Sequence, residues 1–296
     1  MAVRHLFSNV DRHCPEAVGT PVSSVLGADL YSVCGVTSLD LSPMLQIRYN
    51  LCMQVEVKRC AGDDKIDLSR PLVAQVGALG PAYDEWTHHA LPGVPRLFGP
   101  EWMEFFSRTP WFFIPIIWIP LSVACMVFSV QKFQHSVAGV LWRCLAGIAT
   151  WHMLEYGLHR FAFHYVPTSY WGITFHFLLH GIHHKYPSDP LRLVFPLLPA
   201  VGMTAFLVSS FKLIFSWEEL VPLASGVILG YVAYDCTHYF VHHVESRSIT
   251  WLEPLRASHM DHHYRDHAKG YGITTPFFDW VFSTTNAQQQ FNKVVK

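Results

Sequence analysis

The segment WFFIPIIWIPLSVACMVFS, residues 111–129, contains no charged side chain and is the strongest indication of the fold class. A helix needs about 20 apolar residues to cross a hydrocarbon core of ~30 Å, so this segment predicts a transmembrane helix. Three further segments fit the same description, at residues 137–154, 193–215 and 220–241. Arg143 lies near the start of the second segment, where its side chain can reach the membrane interface.

Short polar links join these segments in pairs. Residues 131–136 connect the first two segments, and the Ser216-Trp217-Glu218-Glu219 turn connects the last two. We therefore expect an all-α integral membrane protein with four transmembrane helices in two hairpins.

The composition supports this fold class and excludes one class of partner. Apolar residues make up 51% of the 296-residue chain, and charged residues make up only 15%, below the roughly 25% typical of soluble domains. The formal net charge is -1, so no general attraction to nucleic acid is expected. The seven cysteines include no CxxC pair, which favours a reducing, cytosol-facing environment.

The regions outside the spans differ in how informative they are. Residues 1–65 are weakly patterned, and we expect neither a cleavable signal peptide nor an assignable function there. Residues 66–110 are predicted to be a short soluble lead-in on the membrane surface, and residues 111–296 to be the main domain.

Histidines are concentrated on one predicted side of the membrane. Fourteen of the nineteen lie between His152 and His267. With the spans paired as above, the N-terminal region, residues 155–192 and the C-terminal tail share one side. The positive-inside rule makes that side cytosolic, because it carries Arg160, Lys185, Arg192, Arg247, Arg256, Arg265 and Lys269, and the other side little beyond Lys132 and Lys212.

Ten of these histidines occur in four clusters with metal-ligand spacing. Positions i, i+3 and i+4 of a helix share one face, so each HxxHH triplet is expected to bind a metal ion. The i and i+4 pair can likewise point inward from a helix end, whereas the HxxxxH pair is offset by ~140° and needs a break in the helix. The clusters are His159 and His164; His180, His183 and His184; His238 and His242; and His259, His262 and His263.

Ten imidazoles exceed the four to six ligands of one ion, so two ions are expected. Neutral imidazole suits Fe, Zn and Cu better than Mg²⁺ or Ca²⁺. Four nearby carboxylates are candidate acceptors for the N–H groups of the ligand histidines, and would fix their tautomers. They are Glu155, Asp189, Asp235 and Asp266.

The remaining histidines have a simpler interpretation. A single histidine at the end of a membrane helix is more often an interfacial residue than a ligand, and this applies to His152, His243 and His267. Surface positions are expected for His5, His13, His88, His89 and His135.

The sequence resembles the fatty acid 2-hydroxylases of the fatty acid hydroxylase and sterol desaturase superfamily. The similarity lies in HRFAFH at 159–164, HGIHHKYPSD at 180–189, DCTHYFVHH at 235–243 and HMDHH at 259–263. It runs from DLSRPLVAQVG at 67–77 to Phe282, and RLVFP at 192–196 and GYVAYD at 230–235 make it specific to this subfamily.

This resemblance implies a dimetal centre on the ten clustered histidines, held by a cytosolic helical cap in the endoplasmic reticulum membrane. It also implies O₂-dependent hydroxylation at C2 of a long acyl chain, free or in ceramide, for sphingolipid synthesis. Iron is expected in the working enzyme, because zinc does not change oxidation state, although zinc can occupy such sites. Arg160 or Lys185 is a candidate partner for a carboxylate head group, and a solvated position facing lipid phosphate is an equal alternative for both.

Some relatives carry a fused cytochrome b5 domain with a haem-binding His-Pro-Gly-Gly motif. The nearest string here is His89-Ala90-Leu91-Pro92-Gly93, which does not match. The plant-type members, which lack this domain, are the better comparison. We expect no haem in this chain, and electrons from a separate cytochrome b5 and its reductase.

Three alternatives remain open at this stage. A sterol or acyl desaturase, or a C4-methyl oxidase, of the same superfamily uses similar clusters. A histidine-rich metal transporter would place its ligands along a path at mid-membrane. A zinc scaffold without catalytic activity would bind redox-inert metal and consume no O₂.

Overall fold

The computed structural model describes residues 60–244 and 249–289. Every regular element within these two ranges is helical, which confirms the all-α prediction for this part of the chain. Most of the predicted 1–65 extension, including His5 and His13, lies outside the described residues.

Eleven α-helices follow one another along the described ranges. They are α1 (Val73–Val76), α2 (Tyr83–His88), α3 (Glu101–Phe106), α4 (Phe113–Phe133), α5 (Val137–Gly157), α6 (Tyr170–His176), α7 (Ile182–Lys185), α8 (Leu197–Lys212), α9 (Trp217–His243), α10 (Glu253–Tyr264) and α11 (Phe277–Val281). Tighter 3₁₀ turns occupy Asp63–Lys65 and Gly77–Ala82, and wider π turns occupy Leu158–Phe163 and Phe177–Gly181.

Among the residues that the structure describes, three helices are long and apolar enough to cross a membrane. They are α4, α5 together with its π turn (Val137–Phe163), and α9, with 21, 27 and 27 residues. The fourth predicted span, 193–215, corresponds to the shorter helix α8, which has 16 residues. A helix of that length reaches only ~24 Å, less than the ~30 Å hydrocarbon core.

The fourth span was predicted too long because its first residues are not helical. Helix α8 begins after Pro196, which has extended backbone angles. The preceding Val194 is buried with Ile114 and Trp118 of α4, and the Phe195 amide donates to Asp235 of α9 at 3.3 Å. These residues therefore pack across two other helices instead of extending α8.

Helix α9 packs against both α4 and α5. A Cβ at Gly226 would overlap the Cys144 carbonyl oxygen, and one at Gly147 would overlap the Leu223 carbonyl oxygen, so the backbones of α5 and α9 are in direct contact. The Ser122 hydroxyl of α4 donates to the Ser225 carbonyl at 2.8 Å. The principal contacts of α9 therefore differ from those expected of two separate hairpins.

The lead-in segment is anchored to the helices that carry the first histidine triplet. Tyr83 and Trp86 are almost completely buried in a core with Ile173 and Phe177. The buried Lys185 ammonium donates to the carbonyl oxygens of Trp86 and His89, at 2.8 and 2.9 Å.

A buried ion-pair network fixes the other end of the lead-in. Arg192 pairs with Glu104 of α3, and with Asp189 at 2.7 Å. These ion pairs join the lead-in to the segment between α7 and α8.

Candidate metal centre

The ten clustered histidines converge in two groups of five. Within each group, one ligand atom from every residue lies within 4.8 Å of the others, so each group could hold a metal ion. The first histidine group contains His159, His164, His180, His184 and His262. The second histidine group contains His183, His238, His242, His259 and His263.

A π turn brings together the two histidines that a regular helix would separate. The His164 amide donates to the His159 carbonyl oxygen at 3.1 Å, across five residues. This wider turn changes the angular offset between the two side chains, and both join the first histidine group. Such π turns occur frequently at functional sites.

Each HxxHH triplet contributes to both groups. His180 and His184 belong to the first group, whereas His183 between them belongs to the second. In the other triplet the division is reversed, with His262 alone in the first group. The two groups are therefore adjacent, and the His184 and His263 rings stack at 4.2 Å between centroids.

The nitrogen atoms are arranged as metal ligands would be. The His259 Nε2 atom lies 2.9 to 3.0 Å from the Nε2 atoms of His238, His242 and His263. Ligands at right angles on bonds of ~2.1 Å are ~3.0 Å apart. One imidazole nitrogen carries at most one proton and cannot bridge three neighbours. A cation at the centre of the group accounts for the convergence better than hydrogen bonds do.

Backbone carbonyl groups orient two rings of the first group. His159 Nδ1 donates to the Tyr271 oxygen at 2.6 Å, and His262 Nδ1 donates to the Lys269 oxygen at 2.7 Å. A carbonyl oxygen only accepts, so the proton is on Nδ1 and the Nε2 lone pair is available to a metal ion. The buried His262 Nε2 has no hydrogen-bond partner among the described residues.

Two carboxylates hold the loop that provides these carbonyl groups, here termed the supporting loop (residues 269–274). Asp279, fully buried, accepts from the Tyr271 and Gly272 amides at 3.0 and 2.9 Å. Glu155 accepts from the Ile273 and Thr274 amides, both at 2.9 Å. The sequence predicted Glu155 near the site, and residues 269–274 (KGYGIT) lie within the stretch of family resemblance, but neither Asp279 nor the loop was given a role.

The four predicted carboxylates do not contact the ligand rings directly. Asp189 pairs with Arg192, Asp235 accepts from the Phe195 amide, and Asp266 pairs with Lys269 at 3.3 Å. Glu155 acts through the supporting loop. In the described ranges none of the four is hydrogen-bonded to a clustered histidine. The ring N–H groups of His159 and His262 face backbone oxygens instead, and other buried rings have Nδ1 atoms without a hydrogen-bond partner in this part of the chain, namely His183, His184, His259 and His263.

The hydrogen bonds from the supporting loop to Asp279 should be needed for tight metal binding. Asp279→Asn replaces one acceptor oxygen by an amide donor facing N–H groups, so the loop should shift and release His159 and His262. We expect metal affinity to fall by about 10 to 100 fold, as for other residues that orient metal ligands. Competition with a chromophoric chelator measures the metal affinity. Asp266→Asn, three residues before the loop and partly exposed, is the matched control, and equal losses in both variants would contradict this role.

The site favours uncharged imidazoles. Burial lowers the pKa of His180, His183, His184 and His263 well below the usual value, and neighbouring histidines lower it further. Metal ligation requires the neutral ring, so the environment suits ligation.

Acid should destabilise the metal-free protein. Its unfolded chain takes up protons on histidine below pH ~6.5, whereas the buried rings stay neutral, so stability is present above that pH and falls as the pH decreases. Going from about pH 7.5 to about pH 5.5 should cost roughly 1 kcal/mol for each buried ring. Thermal unfolding across this pH range measures the change in stability, and a constant unfolding midpoint would contradict the expectation.

Five of the remaining histidines have local contacts or half-buried positions outside the two groups. His176 Nε2 donates to the Phe163 oxygen at 2.6 Å, so its Nδ1 accepts from the Tyr83 hydroxyl at 2.7 Å. The His152 Nδ1 atom lies 3.0 Å from the Thr274 hydroxyl oxygen. The His243 ring packs on the Tyr239 ring. His89 and His135 are half-buried and outside the two groups.

His88 was predicted to be a surface residue, and this prediction was wrong. Its side chain is 13% exposed and stacks on His267 with centroids 3.7 Å apart. The sequence could not indicate this, because the two residues belong to helices and loops far apart along the chain.

A cavity of about 530 Å³ leads from the histidines between the helices. His180, His183 and His238 line one end. Phe211 and Trp217 line the other, and along α9 Trp217 is ~32 Å from His238. Most of the lining is aliphatic or aromatic, so the cavity suits a long apolar ligand.

Comparisons with known proteins agree with this architecture. The sequence model of the fatty acid hydroxylase family matches residues 144–284. The dihydroceramide fatty acyl 2-hydroxylases FAH2 and FAH1 of Arabidopsis thaliana are 42% and 43% identical, each over 74% of this chain and 92% of the relative. A solved structure described as full length scs7p, with only the hydroxylase domain visible, has a TM-score of 0.71 and 29% identity, and covers 79% of this chain and 92% of its own.

A membrane-helix protein with two clusters of potential metal ligands is the class that the fold and the site define. Within that class, the chain belongs to the fatty acid hydroxylase family, and the resemblance to fatty acid 2-hydroxylases is confirmed.

Proposed function

We propose that this protein is a fatty acid 2-hydroxylase that inserts one oxygen atom of O₂ at C2 of a long acyl chain. The observation that carries the proposal is the convergence of two five-histidine groups at the end of a deep apolar cavity. The names of the relatives support it, because they describe 2-hydroxylases of fatty acids and of acyl chains in ceramides.

The two histidine groups would each hold one iron ion. All ten ligands are neutral imidazoles in a buried site, a donor set that suits iron. Iron bound there would supply the reduction of O₂ and the oxidation of the substrate C–H bond. The protein itself orients the ligand rings through the supporting loop and excludes water by burying the histidines.

Substrate position would follow from the shape of the cavity. The acyl tail would extend between α4, α5, α8 and α9 toward Phe211 and Trp217, leaving its head near His180 and His183. C2, next to the head group, would then be the carbon nearest the metal centre. The fatty acid or the ceramide enters from the membrane lipid in this scheme.

Lys185 is not suited to hold the substrate head group. Its ammonium is buried and already donates to two carbonyl oxygens. Burial lowers the pKa of Lys185 to about 8. Arg160 is half-buried and donates to the Tyr156 hydroxyl at 2.8 Å, and other donor positions of its guanidinium remain for a carboxylate.

Hydroxylation requires an external electron donor. A C–H bond, one O₂, two electrons and two protons give a C–OH group and one water, so two electrons must reach the site in each turnover. We propose that cytochrome b5, kept reduced by its reductase, supplies them at the cytosolic face of the endoplasmic reticulum membrane. The basic residues that flank the clustered histidines in the sequence support this orientation.

Reconstitution tests the proposed function. The full chain, purified in lipid nanodiscs and loaded with iron, is incubated with O₂, reduced cytochrome b5 and either a long-chain fatty acid or a ceramide. We expect 2-hydroxy product with at least one of the two substrates. Iron-loaded, reducible protein that yields no hydroxylated lipid would overturn the proposal.

The same assay separates the alternatives. A desaturated product would indicate a desaturase, and an oxidised sterol methyl group would indicate a C4-methyl oxidase. Metal flux into vesicles without lipid oxidation would indicate a transporter. Bound zinc with no O₂ consumption under any condition would indicate a scaffold.

A further inference from the structure

Three residues form a separate ligand cluster beside the first histidine group. Asp84, His88 and His267 each offer one potential metal-ligand atom, and these atoms lie within 4.8 Å of one another. His88 Nδ1 is 3.3 Å from the Asp84 carboxylate. The His88 and His267 rings stack at 16°, so one ring turns when both direct a nitrogen atom at the same ion. Two histidines and one carboxylate form a known ligand set for Fe(II).

This cluster lines a small cavity of about 190 Å³. Exposed Val166 and Ala268 also line this cavity, as does His164 of the first histidine group. The His88 ring is also in edge contact with His184, at 4.9 Å between centroids. A continuous series of imidazoles therefore runs from the partly exposed cluster to the buried group.

Ions need a route to the buried histidines. Most of the ten clustered side chains are buried, with His159 and His262 completely so. The large cavity reaches His180 and His183, but its apolar lining would oppose the passage of a divalent cation. The small cavity instead presents His88, His267 and a carboxylate that is 41% exposed.

We propose that Asp84, His88 and His267 form a third metal site, through which a divalent transition metal ion passes to His164 and the first histidine group. The site takes Fe(II) under working conditions, and Co(II) or Zn(II) in its place. Its role in loading rests on the proposed dimetal centre, whereas its ability to bind an ion does not. A charged carboxylate at the outer position attracts the cation, and neutral imidazoles further in accept it.

A purely structural role for these residues predicts different behaviour. The His88 Nδ1 proton is donated to the Asp84 carbonyl oxygen at 2.8 Å, which by itself only caps the end of α2. In that case the removal of His267 would leave metal binding unchanged. Stoichiometry and loading rate therefore distinguish the two roles, and neither depends on enzyme turnover.

The test uses the full chain in detergent, stripped of metal and titrated with Co(II) without oxygen. We expect three equivalents at equilibrium for the parent protein, two of which survive gel filtration. His267→Ala and Asp84→Asn should each bind one equivalent fewer, and should fill the two retained sites about tenfold more slowly, as expected when a residue that assists metal binding is lost. His135→Ala, a half-buried histidine outside every ligand cluster, is the control.

Each outcome decides between the possibilities. Two equivalents in the parent protein, with unchanged loading in both variants, would overturn the third site. A single equivalent that His267→Ala removes would support the third site and overturn the dimetal centre. Asp84→Asn preserves the size of the side chain, so loss of the equivalent in this variant, with an unchanged thermal midpoint, excludes misfolding as the cause.

Discussion

Gly226→Leu is expected to prevent assembly of the membrane domain. Even the Cβ of a larger residue would overlap the Cys144 carbonyl oxygen of α5, which is backbone and cannot rotate away. Small residues allow such close contact between membrane helices. Separation of α5 from α9 would also move His159 away from the site elements on α9. We expect the free energy of unfolding to fall by about 3 kcal/mol or more, the upper range for overpacked positions. We also expect bound metal to be lost.

Gly202→Leu is the matched control for this substitution. Gly202 lies on α8, and nothing is within 4 Å of a Cβ built there. In a helix, leucine is favoured over glycine by up to ~1 kcal/mol, so this variant should be as stable as the parent. Thermal unfolding in nanodiscs and metal analysis measure both variants. Equal stability of the two would show that α5 and α9 are not in backbone contact.

His242→Ala and His243→Ala should differ sharply although the residues are neighbours. His242 belongs to the second histidine group, with its Nε2 atom 2.9 Å from that of His259. His243 faces Tyr239 and belongs to neither group. We expect His242→Ala to lose one metal ion per chain and to reduce hydroxylation to about 1% or less, beyond the 10 to 100 fold typical of residues that only orient a ligand.

His243→Ala should retain both ions and most of the activity. Iron content per chain and product formation, measured on the same preparations, provide the comparison. Similar losses in both variants would mean that the end of α9 matters as a whole and that His242 has no special role. Retention of both ions in His242→Ala would remove this residue from the proposed ligand set.

Local patterns were enough to predict three membrane-length helices of the described residues and the ten histidines that come together. The apolar run at 111–129 and the alternation of apolar segments with polar links predicted membrane helices, because the length needed to cross a bilayer is fixed. The i, i+3 and i+4 spacing predicted that each triplet would face one direction, because that spacing follows from helix geometry alone.

Other features depend on contacts between distant segments. The division of His183 from His180 and His184 between two groups depends on where α9 and α10 meet α7, which no local pattern specifies. Likewise, the partners of the His159 and His262 N–H groups are backbone oxygens, which carry no signature in the sequence. Hydropathy also extended the fourth span through residues 193–196, because buried residues beside a site and residues in lipid have the same composition.

We expect the two five-histidine groups to bind two metal ions. The most direct test is anaerobic loading of the metal-free full chain with Fe(II), followed by gel filtration. Iron per chain is then measured, and X-ray absorption identifies the ligand atoms. Two retained ions, each surrounded by nitrogen ligands at about 2.1 Å, are expected. One retained ion, none, or a ligand shell made mainly of oxygen would contradict this expectation.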